Sequence, residues 1–408
     1  MKKYILLPFF ALIVLFLQQS VAQDIPYYKF IRYSANVLHY DSASPSINRL
    51  LNRWERLQTT HQGNISIVHI GGSHVQAGSL TNAVRCNIMA DNPDLVGPRG
   101  MIFPYSAAAK CNNPADYRVH CPQKMILTRN VYKDHTYPLG LCGIAVTASD
   151  TLTEIAIKLN EPRVDYATNR IILLGHSDQG VVPRLRLENR EVYPSYIDNR
   201  TDRYLFNLGQ TVDSFCIVLP CREGDMFSVT GILLDNRQAG FSYHSIGVNG
   251  ASVPDYLRCR NFVRDLRLLH PDVVIFGIGI NDASGTNFDT AAFRQNYLQL
   301  VDSVRAVNPD CAFIFVTNND SFRKVKRRYN VNNNGALARE VFYRLAHDTD
   351  GAVWDQFEVM GGLKSMNTWY KNGLAQKDRV HFTSAGYQLV GDLFYQALND
   401  ALKKNRSK

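Results

Sequence analysis

Residues 65–70, 273–280 and 312–317 are short runs rich in Val, Ile and Phe, with few polar side chains. A strand that is apolar on both faces needs cover on both, as in a parallel sheet sheathed by helices. The neighbouring segments supply that cover. Across 289–307, Phe293, Tyr297, Leu300, Val301 and Val304 recur every three or four residues, the spacing of one helical face. Further helices are expected over 79–89, 254–269, 337–345 and 383–402, the last with Thr383 as its N-cap. Residues 31–60 read as helical and peripheral, with a Ser/Pro turn near 42–47, and 353–357 as a short strand or turn. This alternation predicts a doubly wound α/β core, in which ligands bind beyond the carboxyl ends of the strands.

Between residues 92 and 240 the rhythm changes. Gly and Pro recur, and short alternating runs appear at 143–147, 154–159, 171–174, 204–208, 215–219 and 227–233. Many short strands with turn residues between them predict an inserted β-sandwich. The chain therefore divides into an α/β domain built from 23–91 and 241–408, and a β-rich insert over 92–240 that is a candidate carbohydrate-binding unit.

Residues 1–22 have the form of a secretory signal: Lys2 and Lys3, an apolar stretch to about Leu17, then Ser20-Val21-Ala22 before the cut. An exported protein, periplasmic or extracellular, is expected, with no stable membrane insertion after cleavage, since no other stretch approaches 18 apolar residues. Export permits disulfides among the eight cysteines. Cys111 with Cys121 and Cys216 with Cys221 are near enough in sequence to consider, while Cys311 reads as a buried thiol. The formal charge of +9 serves either solubility alone or, outside the cytoplasm, an anionic polymer or membrane surface rather than nucleic acid, for which no motif is present. No motif speaks to oligomeric state.

Three polar motifs stand where strands end or the last helix begins. Ser73 follows Gly71-Gly72, where small residues permit a tight turn with an exposed hydroxyl. Asp378 precedes His381 by three residues, so one short loop can let the carboxylate orient the ring while Nε2 faces Ser73. Asn281 closes the run at 273–280, and its amide, with the backbone N–H of Ser73 and one from the turn at 247–250, can form an oxyanion hole. Ser73, His381 and Asp378 are thus the candidate catalytic residues for acyl-ester hydrolysis. No metal or other cofactor is called for, and no C-x-x-C pair or tight His/Cys cluster suggests zinc.

These blocks, in this order, resemble the SGNH (GDSL-type) hydrolase superfamily: Ser73 for the nucleophile block, Gly250 for the glycine block, Asn281 in G-x-N-D, Asp378 and His381 in D-x-x-H. With residues 243–251 and the Gly-Gly…Ser-Met…Trp pattern near 361–369, the chain looks like the branch containing bacterial peptidoglycan O-acetylesterases. That resemblance implies a flavodoxin-like three-layer sandwich and removal of O-acetyl groups from a glycan, peptidoglycan first and plant or host polysaccharide second. It implies acetyl transfer to Ser73 and then to water, although the same residues also serve an acyltransferase. One position departs from the pattern: Gly72 stands where the superfamily usually has Asp. Gly72 is the feature that favours a rival reading, a surface glycan-binding protein with weak catalysis. His74, Tyr193, Tyr196 and Tyr204 are candidate substrate-binding residues. The basic stretch 323–328 reads as a solvated helix face or as the border of an anionic polymer.

Overall fold

Alternate residues of the central strands feed two separate apolar layers. Ile65, Ile67, Val273, Ile275, Ile314 and Val316 pack into one cluster with Trp54, Leu389 and Phe394. Val68, Ile70, Val274, Phe276, Phe313 and Phe315 pack into the other with Tyr297, Val301 and Phe342. This is the two-sided burial that the apolar runs require. The computed structural model describes residues 25–407 apart from 109–110, 135–137, 150, 167 and 189. The export signal expected at 1–22 lies outside the described residues.

The central sheet runs Leu38–Tyr40, Ala352–Trp354, Ala312–Val316, Val273–Gly277, Asn64–Gly71, Gly240–Gly247 in space. The last five are parallel to their neighbours. Taken in chain order, those five lie 2-1-3-4-5, the flavodoxin-like arrangement, whose switch point falls between the first and third. Helices Pro45–Thr60, Ser79–Ala90 and Ser384–Arg406 cover one face, and Thr290–Arg305 and Asn334–Thr349 the other. Caps follow the sequence closely. Asp289 accepts from Ala291 and Ala292 N–H, and Thr383 accepts from Gly386 N–H.

Four expectations are corrected. Residues 31–60 are not uniformly helical, because Leu38–Tyr40 adds an antiparallel edge strand beside Ala352–Trp354. The helix expected over 254–269 is two short helices, Val253–Leu257 and Phe262–Leu266. The basic stretch 323–328 is not a helix face but most of a β-hairpin, Phe322–Val325 with Arg328–Val331. All eight cysteines are free thiols, so neither Cys111–Cys121 nor Cys216–Cys221 is bridged.

Residues 100–235 form two antiparallel sheets. One contains Thr168–His176, Arg203–Val212 and Met226–Asp235, and the other Leu152–Leu159 and Ser214–Pro220. Their buried faces join the same apolar cluster as the second layer of the α/β core. The joint between insert and core also holds a buried polar cluster. Arg85 reaches Asp116 at 3.1 Å, Asn82 at 2.9 Å and Ser245 at 3.0 Å. Arg99 pairs with the same Asp116 carboxylate and donates to the Met101 carbonyl at 3.2 Å. All three charged side chains are buried. Burial opposes ionisation of Asp116, but the two guanidinium groups outweigh it and hold its pKa below the ordinary value.

Candidate active site

Gly71, Gly247 and Gly277 lie side by side, in register across three strands. A Cβ on Gly71 would lie 2.3 Å from the Val75 side chain, and one on Gly247 would lie 2.3 Å from the Gln76 nitrogen. The missing side chains let the turn after Gly71 settle on the sheet edge. That turn begins a short helix, Ser73–Gln76, and sets Ser73 at the switch point.

The Ser73 hydroxyl lies 2.7 Å from His381 Nε2, and His381 Nδ1 lies 2.7 Å from Asp378 Oδ2. A ring that donates from Nδ1 to the carboxylate can accept the serine proton at Nε2. The Val380 and His381 backbone N–H groups donate to Asp378 Oδ1 at 2.9 and 3.0 Å. Burial acts to raise the Asp378 pKa, but the His381 and backbone hydrogen bonds prevail and lower it to about 2. The loop bends at Arg379, whose φ of 56° is left-handed.

Ser73, Gly250, Asn281 and His381 line one cleft of about 560 Å³, with Gln76, Tyr387 and others. Asn281 Nδ2 donates to the Ala251 carbonyl at 2.9 Å, which leaves its second N–H for a ligand. Gly72 has little free space beside it: an added Cβ would lie 3.3 Å from Asn281 Nδ2 and 3.5 Å from the Ala251 oxygen. The turn is held by other means. Tyr256 OH donates to the Gly71 carbonyl at 2.9 Å, and Gln76 Oε1 accepts from Asn249 N–H at 2.7 Å.

Gln76 and Tyr256 are positioning residues that the sequence reading missed. Gln76 stands one helical turn after Ser73, a spacing that could have flagged it. Tyr256 carries no local signal, and neither do Asn112 and Asn113, by which the insert reaches the cleft.

The candidate substrate residues fare differently. His74 does not line the cleft. Its Nδ1 meets Tyr387 OH at 2.9 Å, its ring packs 5.2 Å from that of His381, and it borders an internal cavity of about 30 Å³ behind the cleft. Burial first, and the neighbouring His381 second, push its pKa down to about 3, so it stays neutral. Tyr204 is only 7 % exposed, with its ring 5.7 Å from that of Phe227, so it is a core residue rather than a sugar platform. Tyr193 and Tyr196 are 62 % and 61 % exposed, but they are not part of the cleft wall.

Asp282 follows Asn281 and accepts from Val253 N–H at 3.2 and 3.3 Å, tying the Asn281 turn to the segment after Gly250. Burial pushes its pKa up to about 7. The unfolded carboxyl titrates near pH 3.9, so between about pH 4 and pH 7 the folded state holds the proton more tightly. Stability is therefore expected to fall as pH rises through that window. Asp282→Asn should flatten the fall by roughly 2 kcal/mol, less than the full shift implies because the carboxyl keeps an edge in water. Urea midpoints near pH 4.5 and pH 7.5 would measure it, and an unaltered slope would rule Asp282 out as the cause.

The sequence profile of the GDSL-like lipase/acylhydrolase family matches residues 228–389. This span contains Gly250, Asn281, Asp378 and His381 but not Ser73, which only the fold brings to them. A solved structure described as a peptidoglycan O-acetylesterase in action superposes with a TM-score of 0.73 at 20 % identity, covering 89 % of this chain and 97 % of that one.

Over residues 228–389 the chain is similar to GDSL-like acylhydrolases.

Its sheet, helical layers and antiparallel insert are those of an SGNH fold carrying an added β unit. An acetyl xylan esterase aligns over 39 % of this chain and 81 % of its own, with a TM-score of 0.32 at 21 % identity. A lipase/acylhydrolase from Enterococcus faecalis aligns over 40 % and 77 %, with a TM-score of 0.31 at 21 % identity. Comparison with curated proteins by sequence gives no match. Among the described residues, no helix is long and apolar enough to cross a membrane.

Proposed function

We propose that the protein is an exported serine esterase that removes O-acetyl groups from a polysaccharide, with O-acetylated peptidoglycan as the first candidate and acetylated plant or host glycans as the second. The observation that carries this reading is the hydrogen-bonded line from Ser73 through His381 to Asp378, in a cleft shared with Asn281 and Gly250. The family match and the whole-length likeness to a peptidoglycan O-acetylesterase support it.

The reaction runs in two acyl transfers. His381 takes the Ser73 proton as Oγ bonds to the acetyl carbonyl carbon. The negative oxygen of the tetrahedral intermediate is met by the Ser73 and Gly250 backbone N–H groups and the free Asn281 amide N–H; one such donor contributes about 3 kcal/mol at the transition state. His381 then gives its proton to the departing sugar oxygen. Water enters, loses a proton to His381 and attacks the acetyl-serine, and acetate leaves as Ser73 is reprotonated. Asp378, held ionised, stabilises the imidazolium formed at each stage. Neutral His74 adds no second positive charge beside it.

Acetate release should be measured over O-acetylated muropeptides, acetylated xylan and acetylated mannan. Release from at least one is expected, fastest from muropeptides. Binding of these glycans without release from any of them would instead favour the catalytically weak glycan-binding protein to which Gly72 points.

A further inference from the structure

The stretch 323–328 holds five cations in six residues: Arg323, Lys324, Lys326, Arg327 and Arg328. They occupy a hairpin closed by Lys326-Arg327, with Lys326 at φ 55°. Residues 324–328 are exposed. Among the described residues, no acidic side chain pairs with any of the five.

The base of this hairpin is fastened to the two segments that carry Asn281 and His381. On one side, Arg323 donates to the Gly285 carbonyl at 2.8 Å and Asn332 to the Ala283 carbonyl at 3.1 Å, gripping the turn that follows Asn281. On the other, Phe322 N–H donates to the Arg379 carbonyl at 3.1 Å, within the loop that carries Asp378 and His381. The Arg379 guanidinium lies 4.4, 5.4 and 5.7 Å from the ring centres of Tyr329, Tyr370 and Phe322. Its Nε is buried without a partner, and no carboxylate faces it among the described residues. Six cations without a counter-charge among the described residues are thus held beside the two segments that carry Asn281 and His381.

Such a cluster repels itself and draws anions towards the cleft. We propose that the hairpin and Arg379 receive anionic groups of the same polysaccharide chain whose acetyl ester enters the Ser73 cleft. This rests on the esterase reading above and narrows its substrate to an acetylated glycan that is also negatively charged. The geometry favours a glycan over a lipid surface. Val325 is the one apolar side chain exposed along the hairpin, whereas a surface-seeking segment needs a broad apolar face. A ligand touching both the hairpin and the cleft is also continuous with the ester.

The test replaces Lys324, Lys326, Arg327 and Arg328 together by Gln and leaves Arg323 in place for its bond to Gly285. Two substrates are compared: O-acetylated polygalacturonate, and the same polymer with its carboxylates methyl-esterified. On the charged polymer, kcat/KM relative to that of the same variant on phenyl acetate is expected to fall about tenfold, mostly through KM, while the methyl-esterified polymer shows no such fall. An equal fall on both polymers, or none on either, overturns the proposal. Competition by free polygalacturonate or by inorganic polyphosphate supports it and identifies carboxylate or phosphate as the preferred anion; competition by neither overturns it. Ser73→Ala with the hairpin intact supplies a binding readout that needs no turnover. If wild type releases no acetate from any polymer, the esterase reading fails by itself. Co-sedimentation of Ser73→Ala with polygalacturonate, lost when the four Gln replacements are added, would still uphold the hairpin site. Tighter binding to phosphatidylglycerol vesicles than to polygalacturonate would assign the hairpin to a membrane and overturn the proposal.

Discussion

Ser73→Ala is expected to lower kcat for acetate release by roughly 10⁴-fold or more while leaving the fold and glycan binding in place. The size of the effect follows from the role proposed for the hydroxyl. In the proposed mechanism it is the atom that becomes acetylated, and His381 lies 2.7 Å away to activate it. Residual catalysis would come from the oxyanion donors and from water entering the space left by Oγ. Time-resolved mass spectrometry of wild type should find the transient acetyl group on the peptide containing Ser73. An alanine variant with undiminished turnover would remove the basis for the two-step mechanism.

Asp116→Ala is expected to lower the free energy of unfolding by about 3–5 kcal/mol, because removing one partner strands buried charge. Arg85 and Arg99 both rely on that carboxylate, and both are buried where the insert meets the core. Replacing one carboxylate leaves two cations facing each other without solvent. Asp116→Asn should be nearly as damaging, since the shape remains and the charge is lost. Urea unfolding followed by intrinsic fluorescence reads this directly. A midpoint matching wild type for both variants would mean that the insert is held by its apolar contacts alone. Activity is expected to suffer too, because Asn112 and Asn113 of the insert reach the cleft.

The strands and the helices Thr290–Arg305 and Ser384–Arg406 were legible because their patterns are local. A run apolar on both faces, or a repeat of three and four, carries its own instruction. Ser73, Asn281, Asp378 and His381 were legible for a related reason: each sits in a short motif at an element's end, and doubly wound topology gathers such ends. The hairpin at 322–331 was not, since a dense run of Lys and Arg carries no period that separates strand from helix. Its pairing is decided by what its base grips, the Gly285 and Arg379 carbonyls. The placements of His74 and Tyr204 were not legible because they depend on packing against residues outside their own segments, here Tyr387 and Phe227.

Local sequence, then, determined the alternation of strand and helix, the glycine turns and the supply of hydroxyl, imidazole and carboxylate. It left open which side chains face the cleft and which are sealed behind it. Tertiary structure decided that His381 meets Ser73 while the adjacent His74 turns away, and that Asp116 serves two arginines. It also decided that a basic hairpin is fastened to the segments carrying Asn281 and His381. The reason is physical: helix and strand preferences act over a few residues, whereas contact, burial and the field at a site are set by segments hundreds of residues apart that only the folded chain brings together.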